Sequence, residues 1–355
     1  MPFETHSSKK TGIAIAMLAV WMVCASHPAQ SETVIVSTLA GSGEKGFADG
    51  EGSVAQFIQP NSLAIDTAGN LYVTEGSQRI RKITPEGEVS TFAGDSEWGS
   101  ADGQISVARF KELVGITTDM AGNLYVADWG NYRIRKITPS EEVTTLAGGE
   151  NGFADGLGSA ARFYTPAGIT IDAAGSLYVT DTNNHSIRKV TPKGEVTTLA
   201  GGKRGFANGK GSAAQFYAPF GIAIDAADNL YVADSWNHRI RRITPKGEVT
   251  TFAGGKRGFT DGGRGVARFH VPLGIAIDAA DNLYVTDMEN HRIRKITPSG
   301  NVSTLAGNRG GGFADGEGNS ARFSFPRGIA IDAAGNLYVA DSGNSRIRKI
   351  EIRRP

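Results

Sequence analysis

The chain has 355 residues, enough for one large domain or two ordinary ones, and its 37 Lys+Arg nearly cancel 36 Asp+Glu. That balance is unlike a chain shaped mainly to hold nucleic acid or an anionic membrane surface. Glycine is heavily represented at 47 residues, and aromatics are ordinary at 8%.

The N-terminus differs from everything after it. Lys9 and Lys10 precede an apolar run from Ile13 to Val23, followed by small and polar residues, the layout of a secretory leader. The run falls short of the ~20 apolar residues that span a bilayer, so residues 1–31 are expected to be a leader cleaved after Ala25 or Ser31. An uncleaved anchor and lipid attachment at Cys24 are the alternatives. Trp21 and Val23 weaken the second, because a lipoprotein signal places Leu and a small residue there. Cys24 is the only cysteine, so cleavage leaves no thiol nucleophile or thiolate metal site, and an exported chain without disulfides must rely on its own core.

The rest of the chain is a repeat. Leu-Tyr-Val recurs at Leu71, Leu124, Leu177, Leu230, Leu283 and Leu337, at a spacing of 53 residues with a single 54. Each of the six units reads as four short β-strands: Gly221 to Asp225, Leu230 to Asp234, Arg346 to Ile350 and Val196 to Gly201 exemplify them in order. Gly, Asn, Asp and Pro mark the breaks, and no segment holds a helical period. The last unit stops after its third strand with EIRRP, whereas Val36 to Gly41 (VSTLAG) is a fourth strand preceding the first complete unit. A circular fold reconciles both ends, because the N-terminal strand completes the last blade and no edge is left open.

The run from Pro219 to Ile243, PFGIAIDAADNLYVADSWNHRIRRI, is similar to an NHL repeat almost end to end, and the likeness recurs six times between residues 33 and 353. It implies an all-β six-bladed propeller with four antiparallel strands per blade. The family spans protein and RNA recognition as well as lyase chemistry, so the likeness leaves function open.

Antiparallel strands sort the loops between two faces. Short first-to-second and third-to-fourth turns share one; second-to-third hairpins share the other with blade-to-blade connections of roughly 20 residues, long enough to suggest function. In those connections, Asp49, Asp102, Asp155, Asp261 and Asp315, with Asn208 in the fourth, are expected to bond their own backbone in turns. Phe57, Phe110, Phe163, Phe216, Phe269 and Phe323 are expected to fill the gaps between blades. An acidic ring, Glu75, Asp128, Asp181, Asp234, Asp287 and Asp341, is expected to accept hairpin N–H groups. The pairs Arg239 with Arg241 and Arg292 with Arg294 read as solvated outer-strand residues and carboxylate partners.

Function is better sought where the units disagree. The position just before each innermost strand carries Asn61, Val114, Ala167, Phe220, Leu273 and Arg327. These are expected to ring the channel mouth, with Trp129, Trp236 and Met288 in the hairpins and Tyr164, Tyr217, His270 and Phe325 nearby. The result is an apolar, partly aromatic mouth with one cation, the anatomy of a ligand or partner site. His185, His238 and His291 recur at one hairpin position, but neighbouring blades hold them too far apart to share a zinc ion easily. No G-x-S-x-G, HExxH or phosphate-loop pattern occurs. The expectation is a secreted or periplasmic, monomeric, non-catalytic module that binds a protein, peptide or glycan, with no nucleic acid, no cofactor and no membrane span after cleavage. The alternative is a lyase- or lactonase-type enzyme with a metal or His/carboxylate site at the mouth.

Overall fold

The computed structural model describes residues 1–4, 32–76 and 78–353. The leader-like segment, with Cys24 and the junctions after Ala25 and Ser31, lies outside the described residues. Among those residues, no helix is long and apolar enough to cross a membrane.

Six antiparallel sheets are arranged as the blades of a propeller. Their innermost strands are Pro60–Ile65, Leu113–Thr118, Pro166–Ile171, Pro219–Ile224, Pro272–Ile277 and Pro326–Ile331. Each is followed by an LYV strand, an arginine-bearing third strand and a Thr-rich outer strand. The ends close as the repeat requires: Thr33–Ala40 pairs antiparallel with Arg346–Arg353, in a register running from Thr33 opposite Arg353 to Ala40 opposite Ile347. The final blade therefore takes its outer strand from the front of the chain.

Each long connection does more than link blades. It adds a short segment to the outer edge of the blade it is entering, as when Gly156 and Leu157 pair with Val196 and Glu195. In the first and fifth blades a single bridge does this, Gly50 to Val89 and Gly262 to Val302. An otherwise open sheet edge is thereby covered. The connection then turns inward and delivers one of the six phenylalanines to the seam between blades. Phe110, for example, packs with Ala64 and Ile80 of the first blade and Ile116 and Val126 of the second. Phe57, Phe110, Phe163, Phe216, Phe269 and Phe323 are all fully buried, as their recurrence implied.

Two readings of the recurring charged residues need correction. Arg81, Arg135, Arg188, Arg241, Arg294 and Arg348 are not solvated; they are wholly buried. Arg188 donates to Asp181 and Asp155, at 2.7 Å each, and to the carbonyls of Arg162 and Ala154. The connection aspartates therefore bond arginine rather than their own turns. Asp155 also takes the N–H and hydroxyl of Thr198 on the outer strand. The acidic ring does accept from its hairpin, through the side-chain amides of Asn184 to Asp181 and Asn237 to Asp234, and it also holds the incoming connection: Asp181 takes the N–H of Tyr164, and Asp234 that of Tyr217. The pattern recurs in every blade except that Asn208 replaces one carboxylate at Arg241.

Removing one partner of a buried ion pair costs roughly 3–5 kcal/mol, because the remaining charge is left unpaired. Arg294→Met strands two carboxylates, Asp287 and Asp261, whereas Arg241→Met strands only Asp234. Both variants are expected to unfold at lower urea concentration, Arg294→Met at the lower of the two. Equal midpoints would show that the connection carboxylate adds nothing to the clamp.

Candidate functional site

The hairpins and long connections do share one face, and hydrogen bonds join them. Asn184 in a one-turn hairpin helix donates to Gly152 O in the connection, and Asn237 donates likewise to Gly205 O.

The six positions predicted to ring the mouth are the second residues of the innermost strands, not the residues before them, since each strand begins one residue earlier at Pro or Leu113. They form a continuous ring at backbone contact. A Cβ on Gly115 would strike Ala167 O; on Gly168, Phe220 O; on Gly221, Leu273 O; and on Gly274, Arg327 O. Glycine at these places lets neighbouring inner strands approach this closely. The ring closes where Gly328 meets Asn61 and Ser62. Further hydrogen bonds fix it: Thr180 donates to Phe220 O at 2.6 Å, and Thr286 to Arg327 O at 2.5 Å.

Asn61 and Arg327 meet at the closing seam. Arg327 donates to Asn61 Oδ1 at 2.7 Å, while Asn61 Nδ2 donates to Leu113 O at 2.9 Å. Burial pushes the Arg327 guanidinium below its ordinary pKa. Ala167 and Leu273 are buried, and Phe220 is half-buried. Deeper along the axis lies a cavity of about 240 Å³ lined mainly by Ile116, Ile169, Ile222, Ile275 and Ile329. The aromatic residues form a second group farther out. Tyr217 lies 5.8 Å from Trp236 and 6.0 Å from His185, ring centre to ring centre, and the Trp236 indole is 56% exposed. His270 packs on His238, and Phe325 on His291. Trp129 and Met288 are half-buried at the starts of their own hairpin helices.

The recurring histidines have a local task. His185 Nδ1 accepts the N–H of Ala218, His238 Nδ1 that of Val271, and His291 Nδ1 that of Phe325. Each thus latches its blade to the next, at a residue whose φ is positive. With Nδ1 engaged in this way, the three do not converge on an ion; among the described residues no group of three His, Cys, Asp or Glu side chains is placed to hold one.

Sequence reasoning missed Arg204, whose guanidinium lies over the Tyr217 ring at 4.2 Å and donates to its hydroxyl at 2.7 Å. The signal was available: Lys203 and Arg204 stand where the preceding unit has Glu150 and Asn151.

Burial lowers the pKa of His185, His238 and His291. The unfolded imidazoles take up protons near pH 6.5 and the folded ones only below that. The unfolded state therefore binds more protons as pH falls, and stability falls with it. Replacing all three with Asn, which tolerates a left-handed backbone, is expected to flatten the decline of the melting temperature between about pH 7.5 and about pH 5. An unchanged slope would dismiss these imidazoles as its source.

Four segments, residues 163–190, 216–243, 269–296 and 323–350, match the NHL repeat. Each runs from a seam phenylalanine or its neighbourhood to the end of a third strand, and the chain therefore carries NHL repeats. It is 32% identical over 318 residues to Protein SUPPRESSOR OF QUENCHING 1, chloroplastic, of Arabidopsis thaliana, covering 82% of this chain and 30% of that protein. The chain spans less than half the length of the curated relatives it matches. Among solved structures, an auxiliary nutrient binding protein from Bacteroides thetaiotaomicron superposes with a TM-score of 0.70 at 22% identity, covering 90% of this chain and 77% of that one. A virginiamycin B lyase from Staphylococcus aureus superposes with a TM-score of 0.55 at 15% identity, covering 90% and 100%. At these identities the structural likeness is one of fold.

Proposed function

We propose that this six-bladed propeller carrying NHL repeats is an exported, non-catalytic recognition module that holds a protein, peptide or glycan on its long-loop face. Arg327 is the observation that carries the reading. Each of the six clamp arginines reaches at least one carboxylate. Arg327 instead rests on the amide oxygen of Asn61, and among the described residues no carboxylate lies within ion-pair reach of it. A guanidinium has five N–H donors, so capacity remains for an acceptor brought by a ligand. Half-buried Phe220 supplies apolar surface on the same ring, with Trp236, Tyr217, His270 and Trp129 on the surrounding face. A few polar groups fixing orientation within an apolar mouth is the usual composition of a binding site.

Export rests on the leader-like N-terminus, and a structural neighbour described as a nutrient binding protein is in keeping with a binding role for this fold. The lyase neighbour keeps an enzyme in view. Such an activity calls for a metal or a His/carboxylate pair at the mouth, where the ring presents one Arg, one Asn and apolar residues.

Arg327→Gln and the pair Phe220→Ala with Trp236→Ala are expected to weaken binding of a partner purified from the native envelope at least about tenfold, or ~1.4 kcal/mol. Their urea unfolding curves should remain close to the parent's. Undiminished affinity in both variants removes the mouth from the reading. A near-stoichiometric divalent ion in elemental analysis of protein reloaded after chelation would favour the enzyme.

A further inference from the structure

The charges of the blade-to-blade connections are segregated around the disc. Residues 41–59 carry Glu44, Asp49 and Glu51 against Lys45, and residues 94–112 carry four carboxylates against two cations. On the opposite side of the ring, residues 202–218 carry Lys203, Arg204 and Lys210 with no carboxylate, and residues 255–271 carry four cations against Asp261. The near-zero total charge hides this division.

The basic side includes a cleft. Between the fourth blade and the connection leaving it lies a cavity of about 690 Å³ whose lining includes Arg239, Lys256, Arg264 and Arg268 and no acidic side chain. The corresponding place one unit pair earlier is different. Glu150 occupies the position of Lys256 and forms an ion pair with Arg162 at 2.8 Å, while Gly158 stands where Arg264 does. In the second connection Arg109 is likewise held by Glu97 and Asp95. Lys256 and Arg268 have no carboxylate within ion-pair distance among the described residues, so their charge is left for a ligand.

Aromatic surface leads away from the cleft. Arg239, on its wall, lies over the Phe206 ring at 3.7 Å, and its hairpin carries the exposed Trp236 against Tyr217, whose ring also meets Arg204. The Lys-Arg pair repeats at equivalent positions in adjacent blades, Lys203–Arg204 and Lys256–Arg257. Periodic cations beside flat apolar rings suit a linear chain with regularly spaced anions and hydrocarbon faces. We infer that the sector formed by the connections 202–218 and 255–271 is a binding groove for an acidic polysaccharide, whose carboxylates or sulfates engage the cleft and whose sugar rings lie on Trp236. This inference rests on the reading of the long-loop face as the binding side, and it names the partner. The leader-like N-terminus favours a glycan over nucleic acid, the other common periodic polyanion.

The test uses the chain from residue 32 onward, with oligogalacturonate as probe and neutral dextran, poly-glutamate and single-stranded RNA as comparisons. Titration calorimetry is expected to show oligogalacturonate binding that weakens with added salt, with none to dextran. Lys256→Glu recreates the Glu150–Arg162 pair on Arg268, so it should fold normally and weaken binding at least tenfold; Trp236→Ala should weaken it with little change in salt dependence. No binding of oligogalacturonate, unchanged affinity in Lys256→Glu, or tighter binding of poly-glutamate or RNA each overturns the inference. If Lys256→Glu retains the envelope partner while Arg327→Gln loses it, the groove falls and the mouth reading stands. Loss in Lys256→Glu alone reverses that result.

Discussion

Six buried arginines hold this molecule's long connections in place. Each is the point where three separated stretches meet: the acidic end of an LYV strand, the connection arriving from the previous blade and, through the connection carboxylate, the outer strand. Arg135 illustrates the economy of the arrangement. It donates to Asp128, Asp102, Ala101 O and Arg109 O while lying against the Phe110 ring. A fully buried guanidinium is tolerated only when its charge and donors are met, so a connection that moved away would leave a charge stranded. The long loops, which by length alone ought to be mobile, are thereby tied to the blades, together with their edge pairing and seam phenylalanine, and the residues they carry are presented at set positions.

Closure and seam packing were legible in the sequence because both leave marks that do not depend on distant contacts. The orphan VSTLAG strand and the truncated last unit can be matched by inspection, and a phenylalanine at one place in every unit has few destinations other than a seam. The arginines were misread for a physical reason. Alternation along Arg-Ile-Arg separates the two faces of a strand, but it cannot reveal that a connection folds back over one of them. The same blindness turned the connection aspartates into turn residues. Their partner lies about thirty residues away in the chain, as Asp155 and Arg188 show, and no local rule joins them.

The six ring positions are legible in the sequence to within one residue, whereas the charge of the connections is not, and the difference lies in which property is compared between units. Comparing size and aromaticity at aligned positions finds Phe220 and Trp236. Comparing charge finds Lys203 against Glu150, and Lys210 against Leu157. Composition averages such differences away because the acidic connections sit opposite the basic ones.

The fourth unit joins these two themes. Asn208 is the one place where the clamp itself gives up a carboxylate, so Arg241 retains a single ionic partner. The exchange weakens a framework contact and removes a negative charge from the same connection in which Lys203, Arg204 and Lys210 add positive ones. Drift after duplication has no reason to shift charge in one direction at four places within eight residues. A concerted gain of positive potential on one sector does, since fields from neighbouring exposed cations add where a polyanion approaches. The cost in the clamp is bounded, because the amide oxygen of Asn208 still accepts from Arg241 at 2.9 Å. The framework thus keeps its geometry while the surface above it changes sign, and a repeat can diverge in what it binds without altering how it folds.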